Sequence, residues 1–208
     1  MNQKKLTGIA ACAVAGMLTA MTAGAQTGSS MGSTGTSGSM AKMSSADTKF
    51  MTEAAQGGME EVELGKLAAT NGSNADVKTF GQRMVDDHSK ANDQLKQVAQ
   101  SKGVTLPTEV NKSQQKDIDK LSKLNGDAFD RAYMKMMVQD HKKDVAEFKK
   151  ESKSAKDADV KSFASTTLPT LEDHLKMAQD TASKVGGSHT ASMSKHTTHT
   201  KKTSSSGQ

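Results

Sequence analysis

Apolar residues recur at intervals of three and four along four long stretches of the chain, a spacing that lines one face of a helix. The first stretch, about Asp47 to Ala69, ends at Asn71-Gly72-Ser73, and the second, Ala75 to Lys102, ends at Gly103 with Pro107 beyond it. A third runs from Asp127 to Ser154, entered through Asn125-Gly126, and a fourth from Asp157 to Lys184, closed by Gly186-Gly187. Each rod reaches roughly 35 to 40 Å at 1.5 Å per residue. Tight turns make the first two and the last two antiparallel hairpins. The connection between the hairpins, Gly103 to Gly126, is long enough to travel the length of a bundle. It carries a short amphipathic segment, about Ser113 to Leu124, with Ile118, Leu121 and Leu124 at helical spacing. An up-down-up-down bundle would need only a few residues there. The expected fold class is therefore all-α: a ferritin-like four-helix bundle with a crossover connection containing a short extra helix. Pro169, inside the fourth helix, is expected to kink it or split it in two.

The ends of the chain read differently. Lys4 and Lys5 precede an apolar run from Leu6 to Met21 that closes on Ala23-Gly24-Ala25, the pattern of a signal peptide over residues 1–25. Ile9-Ala10-Ala11-Cys12 resembles a lipobox, but the apolar run before Cys12 is short and continues past it. Residues 26–46 form a Gly/Ser/Thr/Met-rich leader and residues 186–208 a Ser/Thr/His/Lys tail, both expected to be disordered because they have little to bury. The folded domain is expected over residues 47–185. Cys12 is the chain's single cysteine, so after signal removal the protein would have no disulfide, no thiolate metal site and no cysteine nucleophile. No segment beyond the signal is long and apolar enough to span a bilayer.

The net charge of +5 suggests nucleic acid until it is located along the chain. All 23 acidic residues fall between Asp47 and Asp180 with most of the basic ones, and the positive excess sits at Lys4, Lys5, Lys42, Lys195, Lys201 and Lys202. A near-neutral domain with 3% aromatic residues and no tryptophan has no base-stacking surface. Nucleic-acid binding is not expected, and neither partner protein nor oligomeric state is specified by the sequence.

Three histidines, His88, His141 and His174, fall one each on the second, third and fourth long helices, and each lies within an apolar stripe. His88 is flanked at helical spacing by Met84, Ala91 and Leu95, His141 by Met137, Val138, Val145 and Phe148, and His174 by Leu171 and Ala178. The first helix has no histidine. Its smallest, most apolar face runs through Phe50, Ala54, Gly57, Gly58, Leu64, Gly65 and Ala68, with Glu61 on that face and Glu60 and Glu63 pointing away from it. Each of the four polar residues lies near the middle of its helix, so they are candidates to converge at one depth. Burying three imidazoles and a carboxylate is costly unless they pair with one another or hold an ion. Two readings follow. Glu61, His88, His141 and His174 ligate a transition metal, iron, zinc, manganese or copper, or they form a metal-free polar network. A ferritin-type diiron centre is not supported, because Val85, Val138 and Leu171 stand where its Glu-x-x-His motif needs glutamates.

An internal echo ties these positions together. Met84-Val85-Asp86-Asp87-His88 recurs as Met137-Val138-Gln139-Asp140-His141, as after duplication of a helix hairpin, and the Asp-His pair returns at Asp173-His174. Neighbours on a helix point about 100° apart. Asp87, Asp140 and Asp173 would therefore serve a histidine on an adjacent helix or remain solvated surface groups. Met84, Met137 and Met177, each about one turn from a histidine, could add thioether ligands suited to copper, or simply fill the core. No nucleophile elbow, phosphate loop or Ser/His/Asp order is present, so no catalytic residue is assigned.

From Phe50 to about Asp180 the chain resembles an exported bacterial family, domain of unknown function 4142. The resemblance rests on Glu61-Val62-Glu63-Leu64-Gly65-Lys66-Leu67-Ala68, Met84-Val85-Asp86-Asp87-His88, Phe129-Asp130-Arg131-Ala132-Tyr133 with His141, and Leu168-Pro169 followed by His174. It implies a ferritin-like bundle in the periplasm, or associated with the outer membrane, and no assigned activity. Two functions are compatible with these readings: a metal-binding bundle for metal handling or stress defence, and a non-enzymatic helical interaction module with an envelope protein as partner.

Overall fold

Side-chain caps start most of the helices. Ser44 accepts a hydrogen bond from the Asp47 backbone N–H at 3.0 Å and opens α1 (Ser45–Asn71), and Asn74 accepts from Asp76 N–H at 2.8 Å and opens α2 (Ala75–Ser101). Asn111 and Gln114 form a reciprocal capping box at α3 (Lys112–Leu121). Asn125-Gly126, with Gly126 at φ +59°, leads into α4 (Gly126–Ser154). Asp157 accepts from the Asp159 and Val160 N–H groups at the head of α5 (Ala158–Ser194). The structure, a computed structural model, describes residues 43–194, with side chains described to residue 187. The signal peptide with Cys12, nearly all of the leader, and the tail from residue 195 lie outside the described residues.

Contacts at the helix ends give the topology. Asp47, at the start of α1, accepts from the backbone N–H groups of Lys156 and Asp157 in the α4–α5 turn, and Lys102, just past α2, pairs with Asp157 and Asp159. All of these mark one end of the bundle. At the other end, Asp130 in the second turn of α4 accepts from Ser73 and Asn74 in the α1–α2 turn, and Lys184 in the C-terminal part of α5 pairs with Asp76. The α2–α4 connection therefore starts at the first end and finishes at the second. It is the full-length crossover of a ferritin-like bundle, with α3 riding on it and packing against α1 and α4. Among the described residues no helix is long and apolar enough to cross a membrane.

The core is interrupted by a polar layer. One apolar cluster gathers Leu64, Phe80, Met84, Tyr133 and Met137, and a second gathers Phe50, Leu95, Phe148, Phe163 and Leu171. On every long helix one buried polar residue falls between the two: Glu61 between Ala55 and Leu64, His88 between Met84 and Leu95, His141 between Met137 and Phe148, and His174 between Leu171 and Ala178. Glycines let α1 and α2 approach closely beside this layer. A Cβ on Gly65 would stand 2.5 Å from the Gly81 carbonyl oxygen, and one on Gly81 would stand 2.5 Å from Ala68 Cβ.

Several expectations need correction. α5 is not split at Pro169 but continues through it as one helix, the alternative expected of a proline at that place being a kink. α5 also passes Gly186-Gly187 and continues to Ser194. Only Gly103 and Gly126 among the described glycines adopt positive φ, so neither residue of the pair supplies the left-handed stop expected of it. α1 starts at Ser45, two residues inside the expected leader, because Ser44 caps it. Its buried face includes Met51 and Ala55, while Ala54 and Gly57 are only half-buried.

Candidate metal centre

The four long helices bring His88, His141 and His174 together. Their ring centroids lie 5.3 to 5.7 Å apart, and one ring nitrogen of each lies within 4.8 Å of the other two. His141 and His174 are wholly buried and His88 is 6% exposed.

The partners of these rings decide their chemistry. His88 Nδ1 lies 2.9 Å from Glu61 Oε2, His141 Nδ1 lies 3.0 Å from the Met137 carbonyl oxygen, and His174 Nε2 lies 2.9 Å from Asp87 Oδ2. Each partner is an acceptor only, so in each case the imidazole N–H donates. A neutral ring that donates from one nitrogen carries a lone pair on the other. His88 Nε2, His141 Nε2 and His174 Nδ1 are therefore the three lone-pair atoms. His88 Nε2 is buried without a hydrogen-bond partner, while His141 Nε2 and His174 Nδ1 face each other at 3.3 Å. Two lone pairs at that distance repel. Two nitrogens on one tetrahedral ion, each 2.0 to 2.1 Å from it, would stand about 3.3 Å apart. The residues present thus fit a transition metal held by three imidazoles, each fixed from behind by an acceptor.

Glu61 takes a different place from the one its helix position suggests. Its Oε2 holds His88 Nδ1 and its Oε1 lies 3.3 Å from His141 Nδ1, so it contacts the outer nitrogens of two rings rather than joining the three converging ones. With the His141 proton directed to Met137, Oε1 has no donor of its own. Asp87 reaches across from α2 to His174 on α5 and is itself held by Arg83 at 2.8 Å. Asp173 is exposed, and Asp140 lies half-buried beside Glu60 rather than on a histidine. Met84 and Met137 are buried in the apolar cluster around Phe80 and Tyr133, with Met177 packed against it, so packing accounts for all three.

Next to Glu61 lies an acidic cavity of about 80 Å³, lined by Glu53, Glu60, Asp140, Asp144 and Glu147, which helical periodicity does not reveal. Glu60, expected to point away from the apolar face of α1, is half-buried there. A visible signal was the i, i+4, i+7 spacing of Asp140, Asp144 and Glu147, an acidic stripe on one face of α4. A second cavity, about 170 Å³ between α2 and α5, reaches His88 and His174 from another side.

Burial lowers His141, and it holds His174 at about 4 in spite of the hydrogen bond to Asp87. Burial alone would raise Glu61, but the imidazole N–H groups turned toward it, above all the hydrogen bond from His88, outweigh it and hold the carboxyl below its ordinary range. In the cavity, burial and then neighbouring carboxylates push Glu60 and Asp140 up to about 7 and also raise Asp144 and Glu147.

These shifts oppose one another in stability. Between about pH 4 and 6.5 the unfolded chain protonates its histidines while folded His174 stays neutral, so stability is lost as pH falls, by about 3 kcal/mol for His174 alone. Acids with raised folded values act the other way, and stability is lost as pH rises from about 4 through 7. Four raised acids oppose two lowered imidazoles, while Glu61 adds a loss only below its ordinary range. Metal-free protein is therefore expected to melt higher near pH 5 than at pH 8. Thermal melts in chelator, followed by circular dichroism, check this, and a melting temperature that climbs steadily from pH 5 to pH 8 would contradict it.

Comparison with known proteins agrees with this architecture. Residues 32–181, which include all four residues of the polar layer, match the model of the family DUF4142, a domain of unknown function. The chain belongs to that family. A similar fold is found in the crystal structure of a DUF305 fragment from Deinococcus radiodurans, with a TM-score of 0.60 and 12% sequence identity over 68% of this chain and 98% of that one. The likeness concerns the fold alone. No significant match was found among curated proteins. The polar layer of this DUF4142 chain is thus described by its own geometry.

Proposed function

We propose that this DUF4142 protein binds a transition-metal ion through His88, His141 and His174, in a metal-handling or stress-defence role outside the cytoplasm. The observation that carries the reading is the 3.3 Å approach of two imidazole nitrogens whose protons are committed elsewhere, beside a third with no partner. In the metal-free protein this arrangement sets lone pair against lone pair in a low-dielectric core, and a cation converts that repulsion into three bonds. Three imidazoles suit zinc, copper or iron better than magnesium or calcium, which prefer oxygen. Such an ion would act as a Lewis acid or, for copper and iron, as a one-electron centre. His88 and His174 also line the cavity between α2 and α5, which gives the site a side open to small ligands. The basic and apolar pattern of residues 1–25 supports export.

The test is elemental analysis of untagged protein purified without chelator, followed by melting with added zinc, copper or iron. About one ion per chain is expected, together with a melting temperature that rises with metal concentration. Protein purified metal-free, whose melting does not respond to any of these ions, would leave the histidines as a structural network and overturn the reading.

A further inference from the structure

The acidic cavity has no role in holding the three rings, and its composition calls for one. Six carboxylates line it, Glu53, Glu60, Glu61, Asp140, Asp144 and Glu147, against a single lining ammonium, Lys143. They come from two helices, α1 and α4, and the crossover helix α3 adds Gln114, which hydrogen-bonds Glu60. Acidic residues alone would be an ordinary solvated face. Here the cavity wall also includes Glu61 and His88, both buried, whose Oε1 and Nε2 lack hydrogen-bond partners. The cavity is thus lined by carboxyl groups that are ready to release protons to an incoming cation, and it borders two buried residues of the polar layer that each carry an unpartnered atom.

No three of the carboxylates converge closely enough to cage a bare ion. Among the described residues, only the three imidazoles bring three ligand atoms within 4.8 Å of one another. A cavity of about 80 Å³ has room for several waters, since one needs roughly 10 to 15 Å³. Divalent cations that keep their water shell are held through those waters by carboxylates. A recess of one charge sign with low-dielectric walls also raises the local concentration of the opposite ion.

We propose that this cavity is a capture site for hydrated divalent cations, from which an ion passes Glu61 and His88 to reach the three imidazoles. The proposal rests on the histidines being the final site. Glu61 suits a relay position because Oε2 is committed to His88 while Oε1 has no donor. Water is shed as the ion moves from oxygen to nitrogen ligands, so selectivity for the borderline metals arises at the inner site and speed arises at the outer one.

The experiment follows cobalt(II) loading of untagged, metal-free protein in a stopped-flow instrument, using the visible d–d absorption of cobalt in a nitrogen-rich site. At pH 8, where Glu53 and Glu60 are ionised, the variant Glu53→Gln/Glu60→Gln removes two charges with little change of shape, and unchanged far-ultraviolet circular dichroism establishes that it is folded. The expected result is the same final absorbance, reached roughly tenfold more slowly at low salt and with a flatter dependence on ionic strength. Equal loading rates with a full end point would overturn the capture role and leave the histidine site standing. A variant that loses the end point would make these carboxylates ligands of the final site and overturn it as well. If the wild-type protein develops no absorption, the histidine reading fails and the capture role fails with it.

Discussion

Replacing His141 by alanine is expected to cut retained transition metal from about one ion per chain to background, whereas Asp87→Ala should leave the metal bound roughly 10- to 100-fold more weakly. The difference follows from where each group stands. His141 Nε2 is one of the three converging lone-pair atoms and lies 3.3 Å from His174 Nδ1, so its loss leaves two imidazoles and an incomplete shell. Asp87 stands behind His174 at 2.9 Å and fixes the tautomer that presents Nδ1 inward, so without it the ring can still bind after choosing that tautomer from a mixture. Glu61→Gln should resemble Asp87→Ala rather than His141→Ala, because the amide oxygen can still accept from His88 Nδ1. Competition against a chromophoric chelator measures all three affinities. A His141→Ala protein that kept stoichiometric metal would show that the ion sits elsewhere, and a Glu61→Gln protein that lost it entirely would move Glu61 into the coordination shell.

The distinction between ligand and support was not legible in the sequence, although the layer itself was. His88, His141 and His174 each interrupt an apolar stripe, which sets their face, and each lies near the middle of its helix, which makes them candidates for one depth. The crossover was legible too, because two hairpins with tight turns leave a connection whose length only a traverse can use. Glu61 was found on the correct face, but whether a carboxylate meets the lone-pair side or the N–H side of a ring depends on rotamers and on the packing of α1 beside Gly81, neither of which has a period. The acidic stripe on α4 does have one, but carboxylates at i, i+4 and i+7 ordinarily face water, so the spacing alone does not mark a cavity. Crossover helix α3 packs against α1 and α4 and partly covers that face, with Gln114 reaching Glu60, so a solvent-type pattern becomes a cavity wall. Pro169 does not split α5 for a related reason. A proline strains only its own turn, and a helix packed along α4 and α2 on both sides of that turn has more to lose by breaking than one hydrogen bond.

Asp130→Ala is expected to destabilise the fold by about 3 kcal/mol, a fall in melting temperature of roughly 10 °C, with metal affinity unchanged. Asp130 lies in the second turn of α4, 2% exposed, and no periodic pattern marks it, since its carboxylate reaches the α1–α2 turn. There Oδ2 accepts from Ser73 Oγ at 2.6 Å and from the Asn74 N–H at 2.8 Å, and the Ser73 N–H lies 3.2 Å from both oxygens. Alanine would leave two backbone donors in the α1–α2 turn without an acceptor, and charge-assisted bonds of this kind contribute more than neutral ones. Asp130→Asn keeps one oxygen acceptor and should cost about half as much, while Ser73→Ala removes one bond and should cost about 1 kcal/mol. This corner fixes where α1 ends and α2 begins relative to α4, yet it lies several turns from the histidines, so the bundle should bind metal normally below its lowered melting point. Asp130→Ala protein melting within about 2 °C of wild type, less than 1 kcal/mol, would mean that water replaces the carboxylate at this corner and that the apolar clusters alone hold the two hairpins in register.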